Sequence, residues 1–276
     1  MKWLFLIFLT IISTLSAPII MDKVYLANEQ LVEESVLSND KMSSNLEKRV
    51  LYQEQIKQKA KSITVKVLSG EGWGSGIIIG KQNNVYTVIT NHHVLIFSPD
   101  KIYQIQTPDQ QIYRGNILET VNFDNYDLAL LQFISELEYQ TIPLYPIDLN
   151  SLVLDKEEVF AGGYPLEIEN QQEFREFYFN NGYIARFSDR DFGGGYQIGY
   201  TNSIKKGMSG GPLLNIKGEV IGINGVHKYP LWGNPYLFSD GSLASEVQKE
   251  EMSKFSWAIP INSFLKLAPQ FLLSNN

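Results

Sequence analysis

Gly207-Met208-Ser209-Gly210-Gly211-Pro212 sets a serine among glycines, where backbone amides can converge on one point. A nucleophilic serine needs an exposed hydroxyl, a base in reach, and N–H groups aimed at the oxyanion that its attack creates. Glycines allow so tight a fold without a Cβ clash, and Pro212 fixes the chain's exit. Alone, the stretch also describes a turn serine. What decides between these readings is whether a histidine and a carboxylate stand in matching contexts.

The chain has three histidines, His92, His93 and His227, so the base is one of these. Val85-Tyr86-Thr87-Val88-Ile89-Thr90 reads as a strand, and Asn91-His92-His93-Val94-Leu95 as the turn that ends it. Asp127 opens the apolar run Leu128-Ala129-Leu130-Leu131, a buried strand that would hold an acid in a dry, fixed place. Asp124 is the rival acid, but it lies in a polar Asn-rich turn where a solvated cap is the ordinary role. His92 and His93 as a metal pair is disfavoured: no cysteine exists, and no third ligand motif stands nearby.

Chain order separates the known architectures. The α/β-hydrolase elbow shares G-x-S-x-G but needs serine, then acid, then histidine. After Ser209 the sole histidine is His227, and Glu219 precedes it by too few residues for separate loops. The subtilisin order needs an acid before the histidine, and no motif supports Asp22 or Asp40. His93, Asp127, Ser209 is the chymotrypsin order.

The sequence here resembles the trypsin/chymotrypsin-like serine proteases, especially their disulfide-free bacterial branch, which includes the high-temperature-requirement proteases. The matching segments run from about Ile63 to Ile261: Gly74-Ser75-Gly76, Thr90-Asn91-His92-His93-Val94, Asp127-Leu128-Ala129-Leu130, Gly207 to Leu213, Gly222-Ile223-Asn224 and Ala258-Ile259-Pro260. The resemblance implies an all-β fold of two six-stranded antiparallel barrels with the site between them. It implies His93 as base, Asp127 as the acid orienting it, Ser209 as nucleophile, and the amides of Gly207 and Ser209 as the oxyanion hole. It puts Ser203 at the base of the primary specificity pocket with Ile204 beside it, and Gly225-Val226-His227 as an edge that pairs with substrate backbone. No charge at Ser203 calls for a basic substrate residue, so small or apolar ones are expected. Met208 stands where zymogen-activated trypsins carry an aspartate for a new amino terminus, so activation by that ion pair is not expected. A non-catalytic peptide-binding protein on the same fold is the alternative.

In 276 residues with 44% hydrophobic content there is ample chain for two packed barrels. A net charge of −7 without any basic cluster argues against nucleic acid, leaving protein or peptide substrates as partners; no cofactor or metal is expected. Met1-Lys2, the apolar run from Trp3 to Ile12, and Ser13-Thr14-Leu15-Ser16-Ala17 read as a signal peptide over 1–17. Export to a bacterial periplasm or exterior follows, with membrane attachment expected only if that signal stays uncleaved. Zero cysteines mean that packing, not disulfides, holds the barrels.

Residues 18–60 read as a polar, partly helical segment. Ser44-Asn45-Leu46-Glu47 forms a capping box, and Leu46, Val50 and Ile56 offer a docking stripe. The protease-like domain then covers 61–276: first barrel about 61–140, second about 155–262, and a closing helix about 262–273. Tyr145-Pro146 marks the link between barrels. A strand is expected over Phe174–Phe187. Lys228 to Ser256 is an insertion whose Tyr229-Pro230-Leu231-Trp232 suggests either a rigid flap or a packing loop. No length is left after it for a PDZ module within this chain.

Overall fold

In the computed structural model the described residues are 46–154, 156–166, 168–169, 172–173, 176–228 and 236–271. The signal over 1–17, Ser44 and Asn45 of the capping box, and residues 229–235 of the insertion lie outside them. Compactness divides the chain between Glu54 and Gln55, within the first helix. The second unit carries the end of that helix and every strand and helix after it.

The helix α1 spans 46–63. Its last turns bury Ile56, Ala60 and Ile63, a stripe at i, i+4 and i+7 that joins the main apolar core. Leu46 and Val50 were expected to share that role, but they are 62% and 57% exposed. Ile56, Ala60 and Ile63 belong to the second unit, whereas Leu46 and Val50 lie in the first. The boundary expected at 60/61 thus falls inside a continuous helix.

Six strands close the first barrel in the order β1-β2-β3-β6-β5-β4: β1 Thr64–Ser69, β2 Gly72–Gln82, β3 Val85–Thr90, β4 Tyr103–Gln106, β5 Ile112–Ile117 and β6 Ala129–Ile134. Full closure leaves no exposed edge. Val65, Val67, Ile78, Tyr86, Val88, Leu131 and Phe133 fill one core cluster, with Tyr86 stacked on Phe133 at 5.0 Å. Six more strands close the second as β10-β11-β14-β13-β12-β7: β7 Glu158–Gly163, β10 Tyr178–Phe192, β11 Tyr196–Tyr200, β12 Pro212–Leu214, β13 Val220–Val226 and β14 Ser256–Pro260. A two-stranded hairpin, β8 Ile168–Glu169 with β9 Gln172–Glu173, stands apart. This is the expected two-barrel, all-β architecture.

The differences are local. Asn91–Leu95 is not a plain turn: His92–Leu95 forms a one-turn helix α2 that buries Val94 and Leu95. The strand expected over Phe174–Phe187 is β10, which starts at Tyr178 and runs on to Phe192 because register shifts let it continue beyond Phe187. A helix α3, Leu149–Leu154, occupies the link between barrels. The described part of the insertion packs rather than projects. Tyr236 and Phe238 are buried, Phe238 stacks on Phe192 at 5.2 Å, and helix α4, Glu246–Ser253, is capped reciprocally by Ser245 and Gln248 and buries Met252. The closing helix α5 is Ile261–Leu267, followed by a 3₁₀ turn at Pro269–Phe271.

Candidate active site

β3 ends at Thr90, and α2 begins two residues later, so His93 stands on the first turn beyond a strand of the first barrel. Its ring Nδ1 lies 2.5 Å from Oδ2 of Asp127, and its backbone N–H donates to Oδ1 at 2.8 Å. A carboxylate only accepts, so Nδ1 holds a proton, and in the neutral ring Nε2 is the nitrogen with the lone pair. His93 is about a third exposed and Asp127 only 16%. His92 is exposed, and Asp124 is an exposed turn residue bonded to Asn122. The structure therefore joins His93, not His92, to Asp127, not Asp124.

Asp127 precedes β6 and is held from several sides. Its N–H donates to Gly194 O at 2.9 Å, and its carbonyl accepts from Asn91 Nδ2 at 2.8 Å. Gly194 and Gly195, in the turn between β10 and β11, have φ of +91° and +86°. A Cβ on Gly195 would stand 2.1 Å from the Tyr126 ring, so only glycine lets this turn press onto the acid's loop. The next residue, Tyr196, is buried and donates its hydroxyl to Asp127 Oδ2 at 2.5 Å. Burial works to raise the Asp127 pKa, but hydrogen bonds and charge from His93, with the Tyr196 hydroxyl, outweigh it and hold the carboxyl below its ordinary 3.8. Burial first, then the Asp127 charge, keeps Tyr196 protonated far above the ordinary tyrosine range.

Ser209 comes from the second barrel, just before β12. Its carbonyl accepts from Ser75 N at 2.8 Å, and the Ser75 carbonyl accepts from Thr90 Oγ1 at 2.7 Å. That chain ties the serine to the strand leading to His93. The Ser209 hydroxyl donates to Gly225 O at 3.2 Å, and among the described residues it makes no hydrogen bond to His93. Gly225 in turn abuts the Tyr196 hydroxyl, only 2.1 Å from where a Cβ would stand.

The loop's peptide planes are locked through their carbonyls. Lys206 O accepts from Leu166 N at 2.6 Å, and Met208 O from Gly211 N at 3.1 Å. In a trans peptide N–H and C=O point oppositely, so each lock turns the following amide, Gly207 N–H and Ser209 N–H, the other way. Among the described residues neither amide has an acceptor, whereas Met208 N donates to Lys205 O and Gly210 N to Asn224 O. Gly207 has φ +92° and its carbonyl is held by Ser75 Oγ at 2.8 Å. Met208 is fully buried, with its sulfur accepting from Lys205 N.

Ile204 is buried in the second barrel's core beside Met208, and Ser203 is exposed with its carbonyl taken by Asn180 Nδ2. β12 pairs with β13 only as far as Pro212 opposite Ile223. The partly exposed Gly225 and Val226 thus have β14 on one side, and beyond the Asn224–Gly211 bond no β12 partner on the other. His227 Nδ1 meets Lys228 O, and the Lys228 ammonium reaches Thr201 O. No group of three or more His, Asp or Glu side chains among the described residues is arranged to hold a metal.

A family model of the trypsin-like peptidase domain matches residues 74–223, more than half of the chain. The chain belongs to this family. Trypsin-like peptidases are two-barrel serine endopeptidases, in keeping with the topology above. Its curated relatives include the mitochondrial serine protease HTRA2 of Drosophila willistoni, 30% identical over 164 residues that cover 55% of this chain and 32% of that protein. The HTRA2 proteins of Drosophila virilis and Drosophila grimshawi match at the same identity, covered over 34% and 33% of their lengths. The chain thus spans about a third of the length of these relatives.

Sequence reasoning missed Tyr196, Gly194 and Gly195. The signal was the run Gly193-Gly194-Gly195-Tyr196 itself, three glycines where a hairpin needs fewer.

Proposed function

We propose that this chain is an active serine endopeptidase working on protein or peptide substrates through His93, Asp127 and Ser209. The observation that carries the reading is the pair of unclaimed amides on Gly207 and Ser209. Backbone N–H groups in a folded protein nearly always have an acceptor, and two neighbouring ones left without one among the described residues suit a ligand that supplies it. Here that acceptor is the oxyanion of an attacked carbonyl, each donor contributing about 3–4 kcal/mol to the transition state.

Ser209 Oγ attacks the substrate carbonyl carbon while its proton passes to His93 Nε2. The imidazolium, stabilised by Asp127, then protonates the leaving amine, and water hydrolyses the acyl-enzyme by the same route reversed. Substrate backbone adds along Gly225–His227, displacing the Ser209 hydroxyl from Gly225 O toward His93. Catalytic hydrogen bonds often tighten in this way only when substrate binds. With Met208 buried and the amides already turned, the reading includes no activating cut. Export is part of it as well, supported by the run Trp3–Ile12 and the small residues up to Ala17.

A fluorophosphonate probe tests it. Wild type should label at one site and Ser209→Ala should fold normally without labelling. Absence of wild-type labelling, or labelling of the variant, overturns the proposal and favours a peptide-binding role.

A further inference from the structure

The geometry points to Tyr196 as a positioning residue of the catalytic apparatus, one that acts through Asp127 and depends on Gly225 having no side chain. This rests on the reading of Asp127 as the catalytic acid.

Asp127 Oδ2 receives two donors, His93 Nδ1 and the Tyr196 hydroxyl, each at 2.5 Å, while Oδ1 takes the His93 backbone N–H. All three donors are needed by a carboxylate this dry, because a buried charge is stable only when its lone pairs are satisfied. Two of them come from His93 itself. Only Tyr196 pulls the carboxylate from a different element, across 69 residues of sequence, and so fixes its rotation independently of the base. With Oδ2 held from both sides, the carboxylate plane cannot turn without breaking one bond, and the imidazole keeps its direction toward Ser209.

The fit leaves room for no one else. A Cβ at Gly225 would lie 2.1 Å from the Tyr196 hydroxyl oxygen, 2.3 Å from Cε1 and 2.5 Å from Cζ. The tyrosine tip therefore fills the volume a side chain at 225 would take, and the residue whose carbonyl receives Ser209 is glycine for that reason. Charged and titratable groups facing the tip are Asp127 with His93 beyond it, and Tyr200 from the same strand. His93 shares Oδ2 from the other side, and Tyr200 does not compete for it: it gives its own proton to Asn224 Oδ1 at 2.8 Å. Tyr196 remains a donor throughout the working pH range.

Two variants test the inference. Tyr196→Phe keeps the ring and removes the donor; Gly225→Ala keeps the phenol and drives it off Oδ2. Each should lower kcat about tenfold or more, and Tyr196→Phe, which leaves the substrate edge untouched, should change KM less than about twofold. Combining them should cost little beyond either alone, because both break one contact. The low-field proton resonance of His93 Nδ1–H reports the His93–Asp127 bond whether or not the chain is a protease, and it should move or broaden in both variants. A residue that merely filled the core would leave that resonance and kcat unchanged in Tyr196→Phe. An unchanged resonance there overturns the inference. A shifted resonance in a chain that never labels with fluorophosphonate upholds the contact and fails the protease reading instead. Should Tyr196→Phe not fold, Gly225→Ala carries the same test.

Discussion

Exchanging Asp127 for Asn replaces one oxygen by an NH₂ group and changes almost no volume, yet the structure predicts a collapse of turnover. The native carboxylate accepts from three donors: the His93 backbone N–H on Oδ1, and His93 Nδ1 and Tyr196 on Oδ2. An amide has one oxygen. If that oxygen replaces Oδ2, the NH₂ group faces the His93 backbone N–H, which has no other tautomer, and a buried donor goes unsatisfied at a cost of about 1–3 kcal/mol. If it replaces Oδ1, the NH₂ group faces the imidazole, which can respond by moving its proton to Nε2, while the Tyr196 hydroxyl rotates to accept. The second arrangement is favoured by that same 1–3 kcal/mol, so the useless tautomer outweighs the useful one by about 5- to 150-fold. The variant also lacks the charge facing the imidazolium, about 4 kcal/mol for unit charges 4 Å apart near a protein surface, or roughly another thousandfold. Together these place the loss in kcat at about 10⁴, in line with what such substitutions cost in other triads. The assay is hydrolysis of a chromogenic peptide, with circular dichroism as the check on folding. A folded Asp127→Asn enzyme within tenfold of wild type would refute the reasoning, and with it the assignment of Asp127.

The same carboxylate makes acid stability predictable in sign. Its folded pKa is held below 3.8, so the stability it contributes is complete above that value and is lost as pH falls through the folded one. Melting temperatures of wild type and Asp127→Asn should therefore converge, relative to their gap at neutral pH, only below about pH 4; a gap constant down to pH 2 would contradict this. Gly210→Ala is expected to abolish fluorophosphonate labelling and to cost more than about 2 kcal/mol of stability, since left-handed backbone alone costs about 1–2 kcal/mol. Gly210 has φ +86°, and the added Cβ would lie 2.1 Å from Ser75 O and 2.4 Å from Thr90 Oγ1, the link between nucleophile and base. Normal labelling of that variant would show that the link is dispensable.

The strands were legible because most carry their own signal. Val85–Thr90 and Ala129–Ile134 pair over their whole length, and both are rich in the β-branched and large apolar residues that a buried strand needs. His93, Asp127 and Ser209 stand out as candidates because each lies in a short motif at a strand end, and the order of the three excludes the other serine architectures. Tyr196 was not, because a tyrosine beginning a strand reads as core, and its bond to Asp127 joins residues 69 apart. Helix α3 is apolar and short, a pattern that periodicity cannot tell from a strand or linker. The limits of α1 depended on which of its turns meets the barrels, and that is a property of the partner surface. At Ser203 the family resemblance gave a position in the chain but no account of its exposure.

The locked peptide planes beside Ser209 carry an implication for how this site tolerates genetic change. Both locks, Leu166 N to Lys206 O and Gly211 N to Met208 O, are main chain to main chain. Side-chain replacement at 166 or 206 leaves the bonding groups in place, and proline at 166 is the one residue there that deletes the donor outright. The aim of the two proposed oxyanion donors is thus independent of the side chains at 166 and 206, but not of the glycines at 207, 210 and 211, where a Cβ would meet backbone. A lineage carrying this loop can vary the chemistry of its substrate pocket widely while the geometry of charge stabilisation stays fixed.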